Sequence, residues 1–108
     1  MEAPDRLTLI VNMLKKEPND SFLNYALAME YLAKEEVESA VKQLEELVER
    51  DENYLGTYYQ LGKLYEQSNE MDKAIVTYTK GIEIAKKQDN NKAHGELSEA
   101  LWLLDDDN

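Results

Sequence analysis

The chain has 108 residues, 43% hydrophobic and 32% charged, with 23 acidic against 12 basic side chains and a formal net charge of −11. That is one domain's worth of chain; it has no cysteine for a disulfide or zinc-thiolate site, and its single histidine, His94, leaves no histidine cluster for a metal. The acid surplus argues against nucleic acid and anionic membrane as partners, and four glycines and two prolines are too few for a turn-rich β-sandwich.

Apolar spacing predicts helices over about residues 5–17, 21–33, 36–51, 54–67, 71–88 and 91–104. Pro4 suits the first turn of the first helix, Asp20 or Ser21 can cap the second, and Asn53 the fourth. The second stretch (Phe-Leu-Asn-Tyr-Ala-Leu-Ala-Met-Glu-Tyr-Leu-Ala) is apolar almost all round. Such a helix is normally buried on every side, so Phe22 and Leu32 are expected beneath the N-terminal helix and its neighbours. Lys34-Glu35-Glu36 and Gln67-Ser68-Asn69-Glu70 interrupt the apolar pattern and predict short turns. Glu35, Glu36, Glu38, Glu45, Glu46, Glu49, Asp51 and Glu52 gather on and around the third helix, whose apolar side holds Leu44, Leu47 and Val48. A solvated outer face is the expected role of those acids. After the break at Asp89-Asn90-Asn91, Leu97, Leu101 and Leu104 form the stripe of a last helix, with Trp102 expected as its packing anchor and Asp105-Asp106-Asp107 as a solvated tail. No apolar run approaches the roughly 18 residues of a membrane span, and the start Met-Glu-Ala-Pro-Asp-Arg shows no apolar leader. A cytoplasmic location is the expectation.

The chain repeats itself. Laying Ser21–Tyr54 over Leu55–Gln88 aligns Tyr25 with Tyr59, Leu27 with Leu61, Tyr31 with Tyr65, Glu36 with Glu70, Ala40 with Ala74 and Glu49 with Glu83. Ala28 and Gly62, Val37 and Met71, Val41 and Ile75, and Leu44 and Tyr78 pair in kind. In the second copy Tyr58-x-x-Leu61-Gly62-x-x-Tyr65 precedes Ala74-x-x-x-Tyr78; the first reads Asn24-x-x-Leu27-Ala28-x-x-Tyr31 and Ala40-x-x-x-Leu44. This pattern, at a period of about 34 residues, resembles the tetratricopeptide repeat signature, with Tyr58 where Trp is usual and Tyr78 where Phe is usual. The family's closing proline is absent from both copies, where Glu52 and Lys86 stand, but appears at Pro18, one full repeat before Glu52. Small residues at Ala28, Gly62, Ala40, Ala74 and Gly81 mark close helix approach. The expected architecture is therefore one all-α domain over residues 1–108: an N-terminal helix at 5–17, repeat one at 21–54, repeat two at 55–88 and a capping helix at 91–104. The resemblance implies an α-solenoid, a right-handed superhelix whose first helices line a concave groove.

The resemblance further implies a non-catalytic protein-interaction module that binds a peptide segment of another protein. Groove-facing positions by that resemblance are Phe22, Tyr25, Met29 and Leu32 or Ala33 in repeat one, and Tyr59, Lys63, Glu66 and Gln67 in repeat two. Tyr25, Met29, Tyr59, Lys63 and Glu66 are the candidate partner-binding residues: an aromatic and thioether patch beside a cation suits a peptide with an apolar anchor. Some tetratricopeptide domains clamp the C-terminal carboxylate of chaperone tails through Lys, Asn, Asn, Lys and Arg. The matching positions here are Tyr25, Met29, Gln60, Asn90 and His94, with no fixed cation, so chaperone-tail binding is not expected. No cofactor, metal or catalytic residue is expected, since carboxylate pairs such as Glu45 with Glu49 and Glu66 with Glu70 are what any acidic amphipathic helix contains. The alternative reading is self-association as a homodimer through the N-terminal or first-repeat helix, because small acidic helical-repeat proteins also resemble bacterial secretion chaperones. The charge is uneven: residues 21–54 carry nine acids and three bases, residues 89–108 six and one, while residues 55–88 are nearly neutral.

Overall fold

The computed structural model describes residues 5–106, and their regular structure is all helical: α1 (Arg6–Lys16), α2 (Ser21–Ala33), α3 (Val37–Arg50), α4 (Gly56–Gln67), α5 (Met71–Lys87) and α6 (Asn91–Asp106). Pro4 and Asp107, and the side chains of Asp105 and Asp106, lie outside the described residues. The chain divides into two compact units, Met1–Asp51 and Glu52–Asn108.

In the first unit α1 packs on α2 and α2 on α3. Asp5 caps α1, its carboxylate accepting the Thr8 N–H at 2.9 Å. That hydrogen bond, helped by the Lys34 ammonium 3.4 Å away, holds the Asp5 carboxyl below its ordinary range. Asp20 caps α2 in the expected way, accepting from the Leu23 N–H at 2.8 Å. The core of this unit is Ile10, Leu27, Ala28, Ala40, Leu44 and Leu47.

Asn24 is buried in that core and has its amide engaged on both sides. Its Nδ2 donates to the carbonyls of Pro18 (3.0 Å) and Asp20 (2.8 Å), and its Oδ1 accepts from Gln43 Nε2 at 2.7 Å. One side chain therefore ties α2 both to the connection before it and to α3. Arg50 reinforces the same point by donating to the Pro18 carbonyl at 3.1 Å.

In the second unit α5 packs on both α4 and α6. The small residues act as predicted. A Cβ built on Gly62 would lie 2.6 Å from Cζ of Tyr78, and one built on Gly81 would lie 2.7 Å from Cβ of Tyr58 and 3.0 Å from Cδ1 of Leu97. Glycine at these two positions lets α5 come close to α4 and α6. Ala28, Ala40 and Ala74 are fully buried.

Two expectations are overturned in this unit. Asn53 does not cap α4: the N-cap is Leu55, with no side-chain cap bond, and the Asn53 carbonyl accepts from Gln88 Nε2 at 2.8 Å. Trp102 is not the anchor of the last helix, since it is 63% exposed while Leu97, Ala100 and Leu104 form the buried stripe. At about 100° per residue, five positions past Leu97 put Trp102 about 140° round the helix from it.

Three helices end in the same way. Glu36, Glu70 and Asn90 N–H groups donate to the carbonyls of Tyr31, Tyr65 and Ala85, five positions back, at 2.8, 2.8 and 2.9 Å. Glu35, Asn69 and Asp89 precede them with φ of 62°, 60° and 54°. These are Schellman endings in which a non-glycine residue takes the left-handed conformation, at a cost of roughly 1–2 kcal/mol for Glu35 and less for Asn69 and Asp89. The predicted turns at residues 34–36 and 67–70 are these endings.

Candidate functional site

Helix α4 buries Thr57, Tyr58, Leu61, Gly62, Leu64 and Tyr65. Tyr59, Lys63 and Glu66, separated by four and then three positions, remain partly exposed on another stripe of the helix. The stripe is tied together. Lys63 Nζ stands 5.5 Å from the Tyr59 ring centroid and 3.7 Å from Glu66 Oε2.

A fourth residue completes the cluster from α5. The Tyr78 hydroxyl donates to Glu66 Oε2, and the Tyr78 ring lies tilted at 53° to Tyr59 with centroids 6.5 Å apart. Burial pushes the Tyr78 phenol far above its ordinary value, and the Glu66 carboxylate pushes it further the same way. At neutral pH Tyr78 is therefore a neutral donor that orients Glu66, and Glu66 in turn holds Lys63 over Tyr59. Sequence reasoning missed Tyr78 as part of this cluster. The available signal was a tyrosine in place of the customary phenylalanine, a hydroxyl added where an acid on α4 could meet it.

The cluster presents an aromatic face, one ammonium and one carboxylate at fixed positions. An ammonium over a ring contributes about 0.5–1 kcal/mol and a half-exposed ion pair no more than about 1 kcal/mol. The arrangement is thus better suited to holding side chains in place than to storing energy. Glu70 has a partner of its own in Lys73 at 3.2 Å. Among the described residues no group of three His, Cys, Asp or Glu side chains is arranged to hold a metal ion. No described helix is long and apolar enough to cross a membrane.

The other two predicted site residues, Tyr25 and Met29, lie one turn apart on α2 and are both half-buried. Phe22 departs from expectation: it is 65% exposed, while Leu32 is half-buried. Phe22 sits in the first turn of α2, about 160° round the helix from the buried Asn24, and a cleft lined also by Met13 and Lys16 of α1 stays open beside it. His94 is half-buried in the first turn of α6, behind Asn90, whose side chain caps the helix by accepting the Ala93 N–H at 3.0 Å.

Paired antiparallel helices at a period of about 34 residues, with small residues at the close approaches, define an all-α helical-repeat protein. A sequence model of the tetratricopeptide repeat matches residues 23–54 and 55–88, and the chain belongs to that family. Among curated proteins it is similar to anaphase-promoting complex subunit 3 of Dictyostelium discoideum, 27% identical over 86 residues. That match covers 80% of this chain but spans only 9% of the relative's length. Among solved structures, a tetratricopeptide repeat domain protein of Salinibacter ruber is 45% identical, with a TM-score of 0.76 over 80% of this chain and 96% of its own. The TPR2B domain of yeast Sti1, solved in complex with pHsp70, is 15% identical, with a TM-score of 0.83 over 94% of this chain and 82% of its own. At that identity the likeness is one of fold. Tetratricopeptide repeats generally mediate protein–protein interaction and are generally non-catalytic.

Proposed function

We propose that this chain is a non-catalytic interaction module that holds a peptide segment of another protein against α4, through Tyr59, Lys63 and Glu66. The observation that carries the reading is the chain of contacts from Tyr78 to Glu66, Lys63 and Tyr59, which fixes exposed groups before any partner arrives. Groups fixed in advance lose less side-chain entropy on binding. Tyr59 offers flat apolar area to an anchoring side chain, and Lys63 offers donors to a peptide carbonyl or carboxylate beside it. Tyr25 and Met29 on α2 are the corresponding proposal for the first repeat. A cytoplasmic location is part of the same proposal.

The test is capture of partners by the chain carrying Tyr59→Ala and Lys63→Glu together. Both side chains are partly exposed, so the helical circular dichroism spectrum should be unchanged while capture is lost. Glu66→Gln, which keeps an acceptor for Tyr78 but drops the charge pair with Lys63, should weaken capture less. Undiminished capture by the folded double variant would remove the α4 assignment.

A further inference from the structure

Two exposed apolar faces take no part in the α4 cluster. The first belongs to α1 and α2, where Met13 and Phe22, 52% and 65% exposed, flank a cleft of about 330 Å³ that Leu23 also lines. Lys15 and Lys16 occupy the last turn of α1, and neither has an ion-pair partner among the described residues. Glu17 and Asp20 bring carboxylates to the cleft; Asp20 is engaged as the cap of α2, while Glu17 has no side-chain hydrogen bond among the described residues.

The second face belongs to α6. Trp102 and Leu103 are 63% and 46% exposed, and Glu96 and Glu99 are exposed nearby, again without ion-pair partners among the described residues. Gly95 lies two turns before Trp102 on the same side of the helix, and a Cβ built there would meet nothing within 4 Å. The fold makes no use of the missing side chain, which leaves the α6 backbone open to close approach.

The two faces are complementary in chemistry. An indole is a broad apolar plate with a single donor at its edge. The α1–α2 cleft offers Met13, Phe22 and Leu23 as walls and the Glu17 carboxylate as an acceptor. Lys16 lines the cleft beside Glu17 and Asp20, with Lys15 next to it in the last turn of α1, and on α6 Glu99 stands about one turn before Trp102. We propose that the chain associates head to tail with a second copy of itself, Trp102 of one copy entering the α1–α2 cleft of the next while Lys15 and Lys16 meet Glu96 and Glu99. Each contact joins unlike faces, so copies can link through one contact each in an open chain or through two reciprocal contacts in a closed two-fold dimer. The proposal does not depend on the α4 cluster, so Tyr59→Ala should leave it intact.

Sedimentation velocity on the full chain across micromolar to near-millimolar concentrations provides the test. Trp102 is the only tryptophan, so its emission reports on the contact directly. The expected result is a mass that rises with concentration, with emission moving to shorter wavelength in step. Salt near 1 M, where the Debye length is about 3 Å, should remove the part carried by Lys15 and Lys16 and leave the part carried by Trp102. Trp102→Ala and Phe22→Ala should each weaken association by about tenfold or more, as removal of an interface anchor does. An equimolar mixture of these two variants should form a dimer and stop there, since only one intact pair of faces remains. Reversal of Lys15 and Lys16 to Glu supplies an independent arm, and its effect should shrink at high salt. A chain that stays monomeric throughout overturns the proposal, leaving the faces to a different protein. So does self-association that survives Trp102→Ala, which would mean that the α1–α2 face pairs with itself.

Discussion

The two repeats solve the same packing problem with different residues. At the position of Asn24 in α2 stands Tyr58 in α4, one repeat later. Asn24 donates to the carbonyl of Pro18 at 3.0 Å; Tyr58 donates through its hydroxyl to the carbonyl of Glu52 at 2.6 Å. Pro18 and Glu52 are themselves one repeat apart, so the repeat preserves a hydrogen bond to one carbonyl and not the side chain that makes it. The position of Ala28 and Gly62 behaves likewise. Ala28 accompanies Leu44 in the first unit, and Gly62 accompanies the larger Tyr78 in the second, where a Cβ would strike the ring. Volume is conserved across the pair of helices, not at the single site.

The largest test of this comparison removes the hydrogen bonds that define it. Asn24→Ala strips partners from Gln43 and from two carbonyls and should cost about 2–3 kcal/mol in urea unfolding. Tyr58→Phe removes one hydroxyl and should cost only about 1 kcal/mol. Equal losses would show that the shared carbonyl contact carries the whole effect in both repeats and that the Asp20 and Gln43 bonds of Asn24 add nothing. Next in size is Gly62→Ala, expected to cost about 1–2 kcal/mol, because overpacking against Tyr78 outweighs the gain in helix propensity. Combining it with Tyr78→Leu recreates the first repeat's pair, and the double variant should be more stable than the two single losses added together.

A third test uses alkali. With the Tyr78 phenol raised above the ordinary value of 10.0, its contribution to stability is fully present below pH 10 and is lost as pH rises beyond it, because only the unfolded chain then releases the proton readily. Tyr78→Phe should make the decline of stability above pH 10 shallower than in the parent chain. The smallest effects belong to the helix endings. Glu35→Gly, at a φ of 62°, should raise the thermal midpoint by an amount worth up to about 1 kcal/mol. Asn69→Gly should gain less, since asparagine tolerates the left-handed conformation better than glutamate does.

The helices, their order and the close approaches at Ala28, Gly62, Ala40, Ala74 and Gly81 were legible in the sequence, because a fixed period with small residues in step reports packing directly. What was not legible depended on one end of one helix or one face of another. Phe22 reads as core because its helix is apolar all round, yet it lies on the far side of α2 from the buried Asn24, Leu27 and Ala28. Trp102 reads as an anchor because of its size, yet the angle set by Leu97, Ala100 and Leu104 turns it outward. In the candidate site, Tyr59, Lys63 and Glu66 could be named from the resemblance to the tetratricopeptide pattern. The donor that orients them could not, because the hydrogen bond from Tyr78 to Glu66 depends on how α5 lies against α4.

In the first unit each of α1, α2 and α3 packs against its neighbour in the chain, and in the second unit α5 takes the helices just before and after it. Contacts this local require little chain closure before they form, which favours rapid folding. Each helix pair can therefore begin to structure as it leaves the ribosome, without waiting for distant sequence. The same locality gives hydrogen exchange a graded pattern to report within each unit, slowest at α2 and α5, which pack on two neighbours, and faster at α1, which packs on one.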